Sequence, residues 1–290
     1  MDVVQSLVFG LVTGSYLIVA TLGFALVSRV DKFLNIAQAE FINCGAFIAY
    51  YLNARQGWSI VPAAIVSIIA VTALSVVIAR LVFTPIRQAG AIVLIITSVG
   101  VAYALHGITE TIVKPGIYAF DLGRDRKFDL GLFTIHATEI AIVVLAAATV
   151  LAVHVVLTRT RLGLHLRALA SDADLARGRG VSVRRTSTGL WLIAGALAGL
   201  AGVLLGLQGA INTDLAFDQI LLIMSVSILA GFGSVYGVVA AALILGVAMD
   251  MSTLVIPAGY RELIAFSVVI LVLTFRPEGI SGSRLARREA

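Results

Sequence analysis

FLNIAQAEFINCGAF, residues 33–47, is as greasy as a membrane helix, yet it carries Asn35, Gln38, Glu40 and Asn43. At about 100° per residue these four side chains spread over an arc of about 200° on a helical wheel, too wide for a helix that faces lipid. A charge near the bilayer centre costs about 2.5–3.5 kcal/mol on the insertion scale, so the groups must face protein, water or a cavity. The segment is therefore expected inside a bundle of helices. Three roles compete for its polar residues. Glu40 can pair with Arg29 or Arg87 at one mouth of the bundle, the amides can line a solute path, or they can satisfy the backbone of a broken helix. A proton relay is the weakest option, because one isolated carboxylate makes a poor relay.

The rest of the chain has the same character. Of its 290 residues 60% are hydrophobic and 13% charged, with a mean hydropathy of +1.03, which identifies an integral membrane protein of the all-α, polytopic type. A span needs roughly 20 mostly apolar residues. Such segments occur at about 7–28, 34–52, 60–82, 91–112, 137–158, 189–210, 219–231, 235–255 and 260–275. Segments 34–52, 219–231 and 260–275 are the ones whose full crossing is open, and the last two are short enough to be tilted, re-entrant or broken. The first is expected to be a retained span, since no basic region precedes it. The whole of 1–290 is expected to form a single transmembrane domain.

Nine crossings place the termini on opposite sides. Fifteen Lys and Arg residues, including seven arginines between 159 and 185 and Arg276, Arg284, Arg287 and Arg288, fall on one side; six fall on the other. By the positive-inside rule the richer side is cytoplasmic, with the N-terminus outside and the C-terminal tail, 276–290, inside. The connection 113–136, with Asp121, Arg124, Asp125, Arg126, Lys127 and Asp129, then forms an external, solvated cap. Gly195, Gly199, Gly202, Gly206 and Gly209 recur at spacings of four and three, and Gly10–Gly14 and Gly233–Gly237 repeat the small-residue spacing. Such stripes let helix backbones approach, and tight static packing is expected of them rather than sliding.

Several chemistries are excluded. None of the three lysines sits in a phosphate-binding G-x-x-x-x-G-K-[ST] loop, so the chain cannot hydrolyse ATP itself. The four histidines lack metal-ligand spacing, and Cys44 alone permits neither a disulfide nor a Cys-rich zinc site, so no metal and no catalytic residue is assigned. Ser182 and Ser281 lie in short motifs reminiscent of nucleophile contexts, but both fall in Arg-rich loops rather than at membrane depth. Within the spans, Thr97, Ser98, Tyr103, His106 and Glu110 of the fourth, and Ser225 and Ser227 of the seventh, are polar. For the hydroxyls, bonding to their own backbone is the first expectation. Gln208, Asn212 and Asp214 fall where they can shape an external entrance. Thr97, Ser98, Gln208, Asn212 and Ser225 are retained as secondary path candidates.

Residues 159–188, RTRLGLHLRALASDADLARGRGVSVRRTST, interrupt the spans. Ala168, Leu169, Ala170, Ala173, Leu175 and Ala176 favour a short helix, with Ser171 or Asp172 as its cap and Gly178 or Gly180 as its stop. The stretch RLGLHLRALASDADLARGRGVS within it resembles the coupling segment of membrane permeases of branched-chain amino acid ABC importers, the LivH-like group. FLNIAQAEF (33–41) resembles that family's N-x-A-[HQ]-G-[ED]-[FL] signature, with Ala39 in place of Gly. AGFGSVYG (230–237) resembles its Gly-rich turn, with Ala230 in place of the first Gly, and FRPEGI (275–280) its terminal R-P-x-G-[IL]. The four matches occur in order over nearly the whole chain.

The resemblance implies an inner-membrane permease that forms half of a substrate path for branched-chain amino acids or a related small polar solute. It also implies a second homologous, LivM-like permease, two cytoplasmic ATPases that bind ATP and Mg, and an extracytoplasmic solute-binding protein, with no nucleic-acid partner. Arg167, Ser171, Asp172, Asp174, Arg177 and Gly180 match the coupling segment and are the candidates for ATPase contact. Asn35, Gln38, Glu40 and Asn43 are the candidates for the path or for a structural polar cluster. The alternative is an ion-coupled secondary transporter or channel, for which inverted repeats with broken helices are the signature.

Overall fold

A computed structural model describes residues 3–123, 126–129, 131, 133–231, 234–276 and 279–280. Arg124, Asp125, Gly233 and most of the tail, with Ser281, Arg284, Arg287 and Arg288, lie outside the described residues. Eleven α-helices occur among those described. Nine are apolar and correspond one for one to the segments expected from hydropathy. These are α1 (Val3–Asp31), α2 (Ala37–Tyr50, continued by a π-helical stretch Tyr51–Arg55), α3 (Ile60–Ile78, continued likewise to Phe83), α4 (Ala91–Val113), α5 (Ala137–Arg159), α8 (Val183–Leu207), α9 (Leu215–Ala230), α10 (Val235–Ser252) and α11 (Arg261–Phe275). Six of them are long and apolar enough to cross a membrane by themselves. A small antiparallel hairpin, β1 (Lys127–Asp129) with β2 (Thr134–His136), breaks the all-helical pattern in the 113–136 connection and pairs Phe128 with Ile135.

Burial sorts the helices into two classes. In the most apolar window of α1 and α8, 78% and 72% of residues are buried, against 22% in α3 and α4 and 17% in α5. Helices α1 and α8 are thus the core of the bundle, and α3, α4 and α5 turn apolar surface outward, as helices in lipid can. The small residues allow the close contacts. A methyl group on Gly202 of α8 would strike the backbone of Ile42 and Ala46 in α2. Gly10 and Gly14 of α1 lie against the backbone of α10 at Gly246–Val247 and Ala242–Leu243, so these two helices run antiparallel. The close contact expected of the α8 stripe runs from Gly195, against α3, to Gly206, against Phe120 and Ile211.

The short seventh segment has a geometric explanation. After α8 the chain forms a bridge between Ile211 and Tyr118, with N–H···O distances of 2.7 and 2.8 Å, and then turns back into the bundle. By Thr213 it is level with Asn43 of α2, whose side chain donates to the Thr213 carbonyl at 3.0 Å. Gly202, at the level of Ile42 and Ala46, lies five residues before the end of α8, so α9 starts about 7 Å inside that end. Sixteen residues then suffice for α9, because the preceding loop has already re-entered. At the far end of α9 the Gly-rich turn meets the terminal motif. Ile280 N–H donates to the Leu229 carbonyl at 2.8 Å, and Gly279, with φ +78°, packs against Gly231. Two motifs that are about 45 residues apart in the sequence thus form one junction.

Candidate functional site: a buried polar cluster and an exposed elbow

Helix α2 starts late because Lys32 takes a positive φ of 56° and the chain turns through 32–36. Asn35 is in this turn and fully buried, and its side-chain amide has no hydrogen-bond partner among the described residues. Ser98 of α4 secures the turn by accepting from the Ile36 N–H at 3.1 Å, while its hydroxyl donates to Ile95. Gln38 reaches the other way and donates to the Ala194 carbonyl of α8 at 3.4 Å. The wide polar arc therefore serves several neighbours at once.

Glu40 and Asn43 meet a third group that sequence reasoning ranked low. His106 Nδ1 of α4 lies 3.2 Å from Glu40 Oε1, and Asn43 Nδ2 donates to Glu40 Oε2 at 3.2 Å. With Glu40 ionised, Nδ1 carries the imidazole proton and donates it to the carboxylate. Of the three competing roles, the pairing of Glu40 with Arg87 is not formed, since Arg87 binds Asp31 at 2.7 Å. On its other side His106 Nε2 is 3.9 Å from both Glu110 and Asp214. Phe217 of α9 stands edge-on to the imidazole with centroids 4.9 Å apart, and Tyr103 packs against Phe217 at 5.6 Å. Glu40 is buried, whereas Glu110 is partly exposed and Asp214 largely so. The cluster thus runs from the interior to an open edge of the bundle and joins α2, α4 and the loop before α9. Among the described residues, no three His, Cys, Asp or Glu side chains are arranged to hold a metal ion.

The secondary candidates separate. Thr97 donates to Val93 of its own helix and Ser98 secures the α2 turn, so both have the structural role expected of membrane hydroxyls. Ser225 is buried within α9, Gln208 caps α8 from an exposed position, and Asn212 lies in the re-entering loop. None of the three joins the His106 cluster. Ser182 caps α8, its hydroxyl oxygen accepting from the Arg185 N–H, so a local role explains it.

The loop 159–188 forms two helices rather than one. Helix α6 (Arg161–Ser171) is capped by Thr160, whose side chain accepts from Gly163 N–H, and α7 (Ala173–Gly178) by Asp172. Asp172 ends the first helix and starts the second, accepting from the N–H groups of Leu175 and Asp174 at 2.9 Å each. These two backbone donors, that of Leu175 first, hold its carboxyl below the usual carboxylate range. Ser171, the other expected cap, is instead the last residue of α6 and donates to Arg167. Gly178 closes α7, and Gly180 follows it in a left-handed conformation, φ +83°, which favours glycine.

Gly163, Leu166, Leu169 and Ala176 are buried and seat this elbow on the bundle, where Gly163 lies directly on the carbonyls that end α5. Arg167, Ser171, Asp172, Asp174, Arg177 and Gly180 are all exposed, together with Leu164 and Leu175 at 57% and 62%. The element is thus anchored on one side and turns charges, caps and two leucines outward on the other.

Residues 6–273 match the family described as "Branched-chain amino acid transport system / permease component". The chain belongs to this family. It is 30% identical to the high-affinity branched-chain amino acid transport system permease protein BraD of Pseudomonas aeruginosa, over 96% of this chain and 95% of that one. It is 27% identical to the permease protein LivH of Escherichia coli over the same shares. PsaBC from Streptococcus pneumoniae, solved in complex with Fab, shares the fold, with a TM-score of 0.52 and 13% identity over 99% of this chain and 95% of that one. The protein is accordingly a multi-pass membrane permease subunit of the ABC-importer type, as its sequence motifs imply.

Proposed function

We propose that the chain forms half of a path that imports a branched-chain or related aliphatic amino acid, with ATP hydrolysed by two cytoplasmic partners that dock on α6 and α7. The observation that carries this reading is the elbow itself, whose apolar side is fixed to the bundle and whose polar side is free. Its arginines lie on the side with fifteen of the twenty-one basic residues, which makes that side cytoplasmic and the N-terminus external in the bacterial inner membrane. A second, LivM-like permease completes the path, and a solute-binding protein delivers the solute to the hairpin side.

The cluster of Glu40, Asn43 and His106 is the candidate gate, because it ties three elements together at the level where the α8–α9 loop re-enters. Glu110 and Asp214 offer carboxylates to the ammonium group of an amino acid beside Tyr103 and Phe217, and the solute's own carboxylate is met outside this cluster. The test is reconstitution into proteoliposomes with the partner ATPases and binding protein. ATP-dependent uptake that Asp172→Lys abolishes, without loss of the inserted chain, supports the reading. Uptake by this chain alone under an ion gradient would overturn it in favour of a secondary transporter.

A further inference from the structure

A cavity of about 290 Å³ opens at the basic end of the bundle, between the foot of α3 and the start of α8. Arg80 and Thr84 line it from one side, and Arg184, Ser187 and Thr188 from the other, above Trp191. Among the described residues, no carboxylate lies within 4 Å of either guanidinium as an ion pair. Asp31, at this end of the bundle, is engaged by Arg87 at 2.7 Å and by the Trp191 indole N–H at 3.1 Å. Arg80 and Arg184, both exposed, thus line the cavity without a carboxylate partner among the described residues. Thr84 and Thr188 donate their hydroxyl protons to Ala79 and Arg184 of their own helices, leaving oxygen lone pairs as acceptors.

A second feature adjoins the first. One helical turn beyond Thr188, Leu192 enters an apolar groove of about 380 Å³ walled by Ile68 of α3, Val153 and Val156 of α5, and Ala196 of α8. Helices α3 and α5 are, with α4, the spans that turn most of their apolar surface outward. The charged cavity and the apolar groove thus follow one another along α8, one helical turn apart at Thr188 and Leu192.

We propose that this cavity and groove bind one anionic phospholipid with a hydroxyl-bearing headgroup. Arg80 and Arg184 take the phosphate through their planar donor forks, Thr84 and Thr188 accept from headgroup hydroxyls, and an acyl chain lies along Leu192 and Val156. The cavity holds about ten water volumes at roughly 30 Å³ each, room for a phosphoglycerol group but not for a helix of a partner protein. The assignment depends on membrane insertion alone and not on the transported solute.

Native mass spectrometry of the full purified chain, titrated separately with phosphatidylglycerol, phosphatidylcholine and inorganic phosphate, tests it. Phosphatidylglycerol is expected to be retained over phosphatidylcholine. The double substitution Arg80→Ala and Arg184→Ala should weaken it roughly thirtyfold, about fivefold for each charge, while Arg55→Ala at the other end leaves it unchanged. Leu192→Trp, which fills the groove without touching charge, should weaken both lipids alike. Equal retention of the two lipids by the wild type, or an unchanged preference in the double variant, overturns the proposal. Tight binding of inorganic phosphate without lipid selectivity overturns it in favour of a soluble anion.

Discussion

Glu40 and Asn43 are enclosed by α2, α4 and the loop before α9; both Glu40 oxygens and the Asn43 amide nitrogen have partners within the chain, while Asn43 Oδ1 has none among the described residues. Asp172, Asp174 and Arg177 are exposed, and their bonds are short-range, to backbone N–H groups and to each other. Both regions are polar interruptions of a greasy sequence, but they meet different demands. At membrane depth an unpaired donor or acceptor costs several kcal/mol, so the partners that Glu40 and Asn43 do find weigh on folding. At the water boundary no such demand exists, and an outward-facing charge is available to another molecule. Substitutions should therefore act on folding in the first region and on coupling in the second.

The largest effect is expected where the buried cluster rests on its scaffold. Gly202→Val puts side-chain atoms into the backbone of α2 and should destabilise the protein toward the upper end of about 1–3 kcal/mol, read as a lower melting temperature in detergent. Next comes Glu40→Ala, which leaves the His106 N–H and one Asn43 bond unmet and should cost about 1–3 kcal/mol. Glu40→Gln, whose carbonyl oxygen can still accept one of these bonds, should recover much of that stability. If Glu40→Ala melts like the wild type but transports nothing, the cluster is a path element and the contrast with the elbow narrows.

Asp172→Lys removes the α7 cap and should lower melting only by what one exposed cap contributes, while it lowers ATP-driven uptake by roughly tenfold or more, because it sets a like charge among arginines at the proposed docking face. A large loss of stability in this variant would erase the distinction between the two regions. The smallest effect concerns pH. Asp172 titrates below an unfolded aspartate, so its capping contribution is complete above the ordinary carboxylate range and disappears as pH falls through its lowered native value. Coupled ATPase activity should weaken in that acidic window, and Asp172→Asn should flatten the dependence.

The nine apolar helices were legible in the sequence because a bilayer demands length and apolarity of each span separately. Asp172 was legible as a cap for a related reason, since the acceptor and its N–H donors are neighbours in the chain. Sequence reasoning expected one helix in 159–188, with Ser171 an equal choice of cap, because it could not see that α6 ends where α7 begins. It ranked His106 among minor polar residues, and only the fold brings this side chain, 66 residues away, onto Glu40. The Asp31–Arg87–Trp191 contact was unreadable for the same reason.

By itself, then, the sequence determined the membrane class, the spans, the basic end and the local capping of the elbow, since these follow from composition and from residues close along the chain. Tertiary structure alone decided that Glu40 faces a histidine, that the loop before α9 re-enters, and that Arg80 and Arg184 converge on one cavity. Each is a pairing between distant residues, and such pairings are fixed by which helix backbones can approach one another.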